Sequence, residues 1–466
     1  MARPELVANS DAVWITMEES TNLMTVSGLL LFDDIIDHER LKQTIENRLL
    51  TYKRFKQRIV EPSIPLAPLF WETDSNFNLD AHILRVGLPS PNDEATLQEM
   101  VSRLVSTPLD QTKPLWQVHI IENVGSGSAV LARMHHALAD GLALVMVLLS
   151  LADFAPDAPP RPPKEEKEKK SSSLLGNLRK QANSTIAAVS KTATSLVNEG
   201  METVKNPSKA MEFAQKGAEN ARTVGQLLTE SADPKTRFKG KLGVGKKVAW
   251  SRAIPLSDIK TIKNTLGGGV NEVLVTAVAG ALRTHMVSKG DQMQGITIRA
   301  AMPMNIRGKS EMGKLGNSYG VAFVPLPLYL ESSIDRLEEI SETMARMKNS
   351  DETIVTFGIQ KGIEFTHHDV QSELLKLFSA RATAVMSNIP GPPMPLYIAG
   401  SQIKQLMFWM PQVGKVGISI SMLSYAGQVF FGIAADDGLI PNPNELLDAV
   451  YREIDSLLAL ATDAKK

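Results

Sequence analysis

The sequence predicts an α/β protein built as two lobes of similar size with a long connector between them. Three observations lead there. Apolar runs of strand character alternate with helical patterns up to about Pro156, and the alternation resumes at Lys247. Between these points the composition changes once, sharply, to a stretch with nothing to bury. Finally, 466 residues, 43% of them hydrophobic, can bury a large core and exceed what a single core usually organises. The expected division is residues 1–156, a connector at 157–246, and residues 247–466.

In the first lobe, Leu23 to Phe32 reads as a strand, Asp37 to Leu50 and Ala95 to Ser106 as helices. Trp116 to Asn123 and Ala129 to Met134 form a hairpin around Gly125-Ser126-Gly127-Ser128, and Leu142 to Leu149 begins a buried helix. The connector opens with Pro156, Pro159-Pro160 and Pro162-Pro163, then the charged run Lys164 to Lys170 and three serines, an exposed linker. From Leu174 to about Glu230, Ala, Lys, Glu, Gln and Thr dominate, with Gly200, Pro207 and Gly217 as breaks, which suits two or three amphipathic helices. Lys235, Arg237, Lys239, Lys241, Lys246 and Lys247 follow without an acidic residue among them. That run reads as a patch for anionic lipid, as a landing site for coenzyme phosphates, or as a solvated basic loop.

The second lobe continues the alternation. Lys247 to Pro255 is strand-like, Leu256 to Leu266 helical, and Asn271 to Met286 a strongly apolar helix with Asn271 as its cap. Strands are expected at Gly295 to Pro303, Gly316 to Pro325, Ala384 to Ser387, Gln405 to Trp409, Gly417 to Met422 and Val429 to Ile433, with a helix at Ser333 to Met347. Pro443 to Leu460 closes the chain as an amphipathic helix capped by Asn442, with Pro443 in its first position.

Several classes are disfavoured. A formal net charge of −1 offers no basic face for nucleic acid. Zero cysteines exclude disulfides, cysteine metal sites and a cysteinyl acyl-enzyme. The longest apolar run, Leu142 to Ala152, is short of the ~20 residues a spanning helix needs. Met1 to Val13 lacks the pattern of a secretory signal, so a cytoplasmic location is expected.

The chemistry concentrates in His135-His136-Ala137-Leu138-Ala139-Asp140-Gly141, placed at a strand-to-helix turn. Acyltransferases use this arrangement to hold one imidazole as a base between two substrates. An alcohol is a poor nucleophile near neutral pH, and an imidazole of pKa ~6.5 is well matched to taking its proton. His136 is the candidate base. Asp140 is architectural, and Gly141 suits a sharp turn or a positive φ before the helix. A buried Asp140 calls for a cation, expected from Arg54 or Arg58. The second pair, His367-His368, is followed by Asp369 and Val370, lacks the spacing and reads as structural.

Pro114-Leu115-Trp116, the His135 to Gly141 motif, Gly316-Asn317, Ser387-Asn388-Ile389-Pro390-Gly391-Pro392 and the apolar helix opened by Asn271 occur in this order. Together they resemble the bacterial wax ester synthase/diacylglycerol acyltransferases, from Asn9-Ser10-Asp11 to the closing helix. The resemblance implies two chloramphenicol-acetyltransferase-like lobes with a tunnel between them, entered by acyl-CoA on one side and by the acceptor alcohol on the other. It implies His136 as general base, His135 as its helper and a structural Asp140. Candidate substrate-binding residues are Asn271, Arg307, Asn317, Ser387 and Asn388. Ser387 and Asn388 stand where small polar groups can donate to a thioester oxyanion, or mark a rigid Pro-Gly turn. Trp116 is read as a packing anchor. The family commonly has Asn-Asp where this chain has Asn271-Glu272, and Asn22 to Val26 lacks the Pro-Met-His pattern of many members.

The expected function is O-acyl transfer of a long fatty acyl group from acyl-CoA, as substrate, to a fatty alcohol or diacylglycerol, without metal or bound cofactor. Peripheral contact with the inner membrane face or a lipid inclusion is expected through Leu174 to Lys247. Two alternatives remain at this point: a condensation enzyme using carrier-bound thioesters, and a non-catalytic lipid-inclusion scaffold of the same fold.

Overall fold

The computed structural model describes residues 4–62, 68–159, 231–305, 319–348 and 379–464. Most of the connector lies outside the described residues, as do Arg307, Asn317 and the His367-His368 pair.

The first half runs β1 (Glu5–Leu6), α1 (Asn9–Thr16), β2 (Thr25–Phe32), α2 (His38–Arg48), β3 (Gln57–Val60), β4 (Phe70–Thr73), β5 (Ile83–Gly87), α3 (Glu94–Val105), β6 (Trp116–Val124), β7 (Gly127–His135) and α4 (Gly141–Ser150). The second runs β8 (Lys246–Trp250), β9 (Ile254–Pro255), α5 (Leu256–Leu266), α6 (Val270–Ser288), β10 (Thr297–Asn305), β11 (Tyr319–Pro327), α7 (Ser333–Lys348) and β12 (Ala384–Pro390). It ends with β13 (Tyr397–Ile398), β14 (Ser401–Gln402), β15 (Gln405–Trp409), β16 (Ile418–Tyr425), β17 (Gln428–Asp436) and α8 (Asn444–Asp463).

Two main sheets organise these elements. The N-terminal sheet has the order β15-β2-β7-β6-β5, and the larger C-terminal sheet β11-β10-β12-β16-β17-β8, with β9 also on β17. A third sheet, β1-β4-β3, flanks the first lobe. In the N-terminal sheet, every residue of the central strand β7 is buried, Ser128, Arg133 and His135 included. α6 is likewise buried on almost all sides, so it lacks a polar face.

The lobes share more than the sequence announced. β15, expected as a strand of the second half, pairs antiparallel with β2, from Gln405 opposite Leu31 to Trp409 opposite Ser27, and so completes the first lobe's sheet. Between the lobes, Leu97, Val101, Leu131, Val248, Trp250 and Trp409 form one buried apolar cluster. Lys247 Nζ reaches Glu99 at 2.7 Å, and the Val248 amide donates to Ser102 Oγ at 3.0 Å, tying β8 to α3. The catalytic-motif lobe is thus braced by chain from the other half.

Several local expectations need correction. β3, β4 and β5 were not anticipated, because each spans only four or five residues, with little alternation to read. Asn271 does not cap α6: the helix begins at Val270 with Gly269 as its cap residue, which puts Asn271 inside the first turn. Pro443, not Asn442, occupies the cap of α8, and no side chain caps it. The basic run is also less available than it looked. Arg237 pairs with Asp291, Lys246 with Asp436 at 2.7 Å and Lys247 with Glu99, while Lys239 donates to the Ala380 carbonyl. Four of its six cations therefore brace the fold, and Lys235 and Lys241 remain exposed.

Candidate active site

The His-His turn is assembled from the sheet outward. β7 ends at His135, paired opposite Thr25 of β2. The His135 amide donates to the Leu115 carbonyl at 2.9 Å and the His136 amide to the Met24 carbonyl at 2.7 Å, so the residues just ahead of β6 and β2, the two neighbours of β7, each hold one histidine backbone. Pro114-Leu115-Trp116 acts here as support. The Trp116 indole is fully buried, donates to the Phe55 carbonyl at 2.8 Å and stacks on His82 at 4.5 Å, as a packing anchor should.

Asp140 closes the turn by capping α4. Its Oδ1 accepts from the Ala143 amide at 2.9 Å and its carbonyl from Leu144. Among the described residues, neither expected arginine supplies its cation: Arg58 pairs with Glu72 at 2.9 Å across β3 and β4, and Arg54 faces Glu5 at 3.5 Å. Each arginine is held by a carboxylate of its own, and the amides and dipole of the helix N-terminus favour a carboxylate at Asp140. Gly141 is corrected too. It is the first residue of α4, outside the positive-φ glycines, and a Cβ built on it would meet nothing within 4 Å.

The two histidines are held differently. His135, 1% exposed, accepts the Ala137 amide on Nδ1 at 3.0 Å and approaches Glu18 Oε2 with Nε2 at 3.1 Å. An Nδ1 that accepts has no proton, so in the neutral ring Nε2 carries the hydrogen and donates to Glu18. His136 lies against Trp14, ring centroids 3.8 Å apart and planes 22° from parallel. Glu18 also accepts from the Met24 amide at 2.9 Å and from Gln111 at 3.1 Å. Burial alone would raise the Glu18 pKa; the hydrogen bond from His135, with those from the Met24 and Gln111 amides, outweighs it and holds the carboxyl below its ordinary value.

Neither Trp14 nor Glu18 was singled out from the sequence. Glu18 stands in Met17-Glu18-Glu19-Ser20, which reads as a solvated turn. The available signal was spacing: Trp14 and Glu18 are four residues apart at the end of a short helix, so both can face one neighbour.

The remaining candidates lie farther along the chain. Asn388 Nδ2 donates to Asn271 Oδ1 at 3.0 Å, so two of them meet as a bridge between β12 and α6. Ser387 is buried in the middle of β12 beside Ser421 of β16. Glu272 is buried and pairs with Lys348 at 2.6 Å, which gives the departure from Asn-Asp a structural partner. A cavity of about 700 Å³ opens beside α4, bordered by Arg48, Met146, Leu149, Phe154, Gly391 and Leu396. Phe154 and Met146 at its edge are 67% and 45% exposed.

Two α/β lobes with a His-His-x-x-x-Asp-Gly turn between strand and helix define an acyltransferase-type protein. Comparison with known proteins narrows the class. Residues 7–274 match the wax ester synthase/diacylglycerol acyltransferase catalytic domain and residues 315–458 the corresponding C-terminal domain. The chain belongs to this family. A protein of Mycobacterium tuberculosis named as a probable diacylglycerol O-acyltransferase is 25% identical over 92% of this chain and 90% of its own length. The structure of a wax ester synthase/diacylglycerol acyltransferase from Marinobacter aquaeolei VT8 superposes with a TM-score of 0.71 at 21% identity, covering 98% of this chain and all (100%) of that one. The first condensation domain of the CDA synthetase has the same fold, with a TM-score of 0.60 at 14% identity over 99% of this chain and 97% of that one. The expected pair of chloramphenicol-acetyltransferase-like lobes is therefore the fold of this protein.

Proposed function

We propose that the protein transfers a long-chain fatty acyl group from acyl-CoA to the hydroxyl of a fatty alcohol or diacylglycerol, with His136 as general base. The observation that carries this reading is the unequal treatment of the two histidines. Both ring nitrogens of His135 are engaged inside the protein, so it cannot take a substrate proton without breaking those contacts. His136, stacked on Trp14 at the same strand-to-helix turn, is the imidazole this reading takes as the base.

In the proposed step, His136 takes the acceptor's hydroxyl proton as its oxygen bonds to the thioester carbonyl carbon. The tetrahedral intermediate then collapses, the carbon–sulfur bond breaks, and the imidazolium returns the proton to the departing CoA thiolate. The products are an ester and free CoA. An apolar substrate is supported by the cavity along α4, whose first turn carries the motif and whose edge exposes Met146 and Phe154. No helix among the described residues is long and apolar enough on its own to cross a membrane. Contact with a lipid surface in this reading is peripheral, at the face where Met146 and Phe154 are exposed.

The test mixes purified protein with palmitoyl-CoA and either hexadecanol or dioleoylglycerol and measures free CoA with a thiol reagent. The chain has no cysteine, so the protein adds no background. CoA release with at least one acceptor is expected, and His136→Gln should reduce it by roughly 10²- to 10⁴-fold. Turnover that survives this substitution, or no release with either acceptor, overturns the reading.

A further inference from the structure

We propose that Glu18 is a positioning residue for the histidine pair: its carboxylate holds His135 in the Nε2–H tautomer and, through the Met24 backbone, fixes where His136 stands. The inference rests on His136 being the base.

Glu18 is 9% exposed and lies in the loop that joins α1 to β2. One oxygen, Oε2, accepts from both His135 Nε2 and the Met24 amide. The other, Oε1, accepts from Gln111. Met24 is the hinge of the arrangement. Its amide is bound by Glu18 while its carbonyl accepts the His136 amide at 2.7 Å, so one residue links the carboxylate to the backbone of the base. On the other side, His135 relays the same carboxylate to the Ala137 amide through Nδ1. The backbone at His136 is thus gripped on both sides by chains that begin at a single carboxylate.

Tautomer choice gives this grip its direction. Only with the proton on Nε2 can His135 donate to Glu18 and still accept from Ala137; the opposite tautomer would set two N–H groups against each other at Ala137. Without the carboxylate, Nε2–H would be a buried donor lacking its acceptor, and the ring would be released from its fixed orientation. The same short segment also supplies Trp14, stacked on His136, so one stretch of chain addresses both rings. A loop anchor with no bearing on the chemistry would need only the Met24 contact.

Two variants of Glu18 test the proposal. Glu18→Ala removes both arms, and misplacement of the base on the ångström scale should lower kcat by on the order of 10- to 100-fold with KM little changed. Glu18→Gln keeps an oxygen for Met24 and His135, because the exposed Gln111 amide can turn to accept the new NH₂ group; it should recover most of kcat. Imidazole ¹⁵N spectra, assigned with His135→Gln, should show His135 as the pure Nε2–H tautomer in the parent protein and in Glu18→Gln, and a mixed tautomer in Glu18→Ala.

Unchanged kcat in Glu18→Ala, a loss carried only by KM or by the folded fraction, or an unaltered His135 tautomer overturns the proposal. The tautomer readout does not depend on turnover. If His136→Gln stays active, the base reading fails whatever happens at Glu18. If His136→Gln is dead and Glu18→Ala is normal, the base stands and the positioning role falls.

Discussion

Replacing Asp140 by alanine separates an architectural carboxylate from a catalytic one. The side chain is 3% exposed and accepts the Ala143 amide at 2.9 Å as the cap of α4. Loss of a capping side chain costs about 1 kcal/mol, and loss of a negative charge from a partly buried helix N-terminus adds about 1 kcal/mol more. Together they give about 2 kcal/mol of destabilisation. Asp140→Asn keeps an oxygen for the Ala143 amide and gives up only the charge, so it should lose about half as much. Urea unfolding followed by tryptophan fluorescence measures both variants, and CoA release per folded molecule reports the chemistry. The expected result is a lowered unfolding midpoint in the order Asp140→Ala, Asp140→Asn, parent, with activity falling as the turn loosens. An Asp140→Ala protein with an unshifted midpoint and a 100-fold lower kcat would refute the argument, because the carboxylate would then act on the reaction through His136.

Two further outcomes follow from groups elsewhere in the fold. Burial, with the neighbouring Arg133 charge in support, pushes His119 down to about 4, while an unfolded histidine titrates near ~6.5. As pH falls below ~6.5 the unfolded chain binds a proton that the folded chain refuses, so stability is full above that pH and declines toward 4 at about 1.4 kcal/mol per unit, or about 2 kcal/mol by pH 5. The urea midpoint at pH 5 should therefore lie below that at pH 7.5, and His119→Leu should flatten part of the difference; an equal slope in the variant would contradict the assignment. Gly391→Ala should lower the melting temperature, since the new Cβ would press on the Ser424 carbonyl, a backbone atom that already accepts the Gly391 amide at 2.8 Å. Overpacking of this kind costs about 1–3 kcal/mol, and an unshifted melting curve would show that the Pro390-Gly391-Pro392 turn has slack.

What could be read in advance follows the range of the interactions involved. α5 was bounded to the residue, at Leu256–Leu266, and β15 at Gln405–Trp409, because an apolar period or run is a local property of the chain. Which sheet β15 joins is not local. Its partner β2 lies more than 370 positions earlier, and strand propensity carries no address. The same limit explains the basic run. Lys246 and Lys247 look like unopposed charge until Asp436 and Glu99, distant in sequence, arrive beside them.

The active-site motif shows where this limit matters most. His-His-x-x-x-Asp-Gly names the chemistry because its spacing sets a strand end, a turn and a helix cap within seven residues, and the cap by Asp140 is indeed local. It does not say which imidazole reacts. In the proposed reading that distinction rests on hydrogen bonds to groups 117 residues away at Glu18 and two residues away at Ala137, which together occupy both nitrogens of His135. The pairing of Asp140 with Arg54 or Arg58 failed for the complementary reason: each arginine has a carboxylate of its own, Glu5 and Glu72, that arrives from another strand. For this histidine pair the fold shows that taking a proton at His135 would break a contact at one of its two nitrogens, which is the physical ground for assigning the base to its neighbour in the proposed reading.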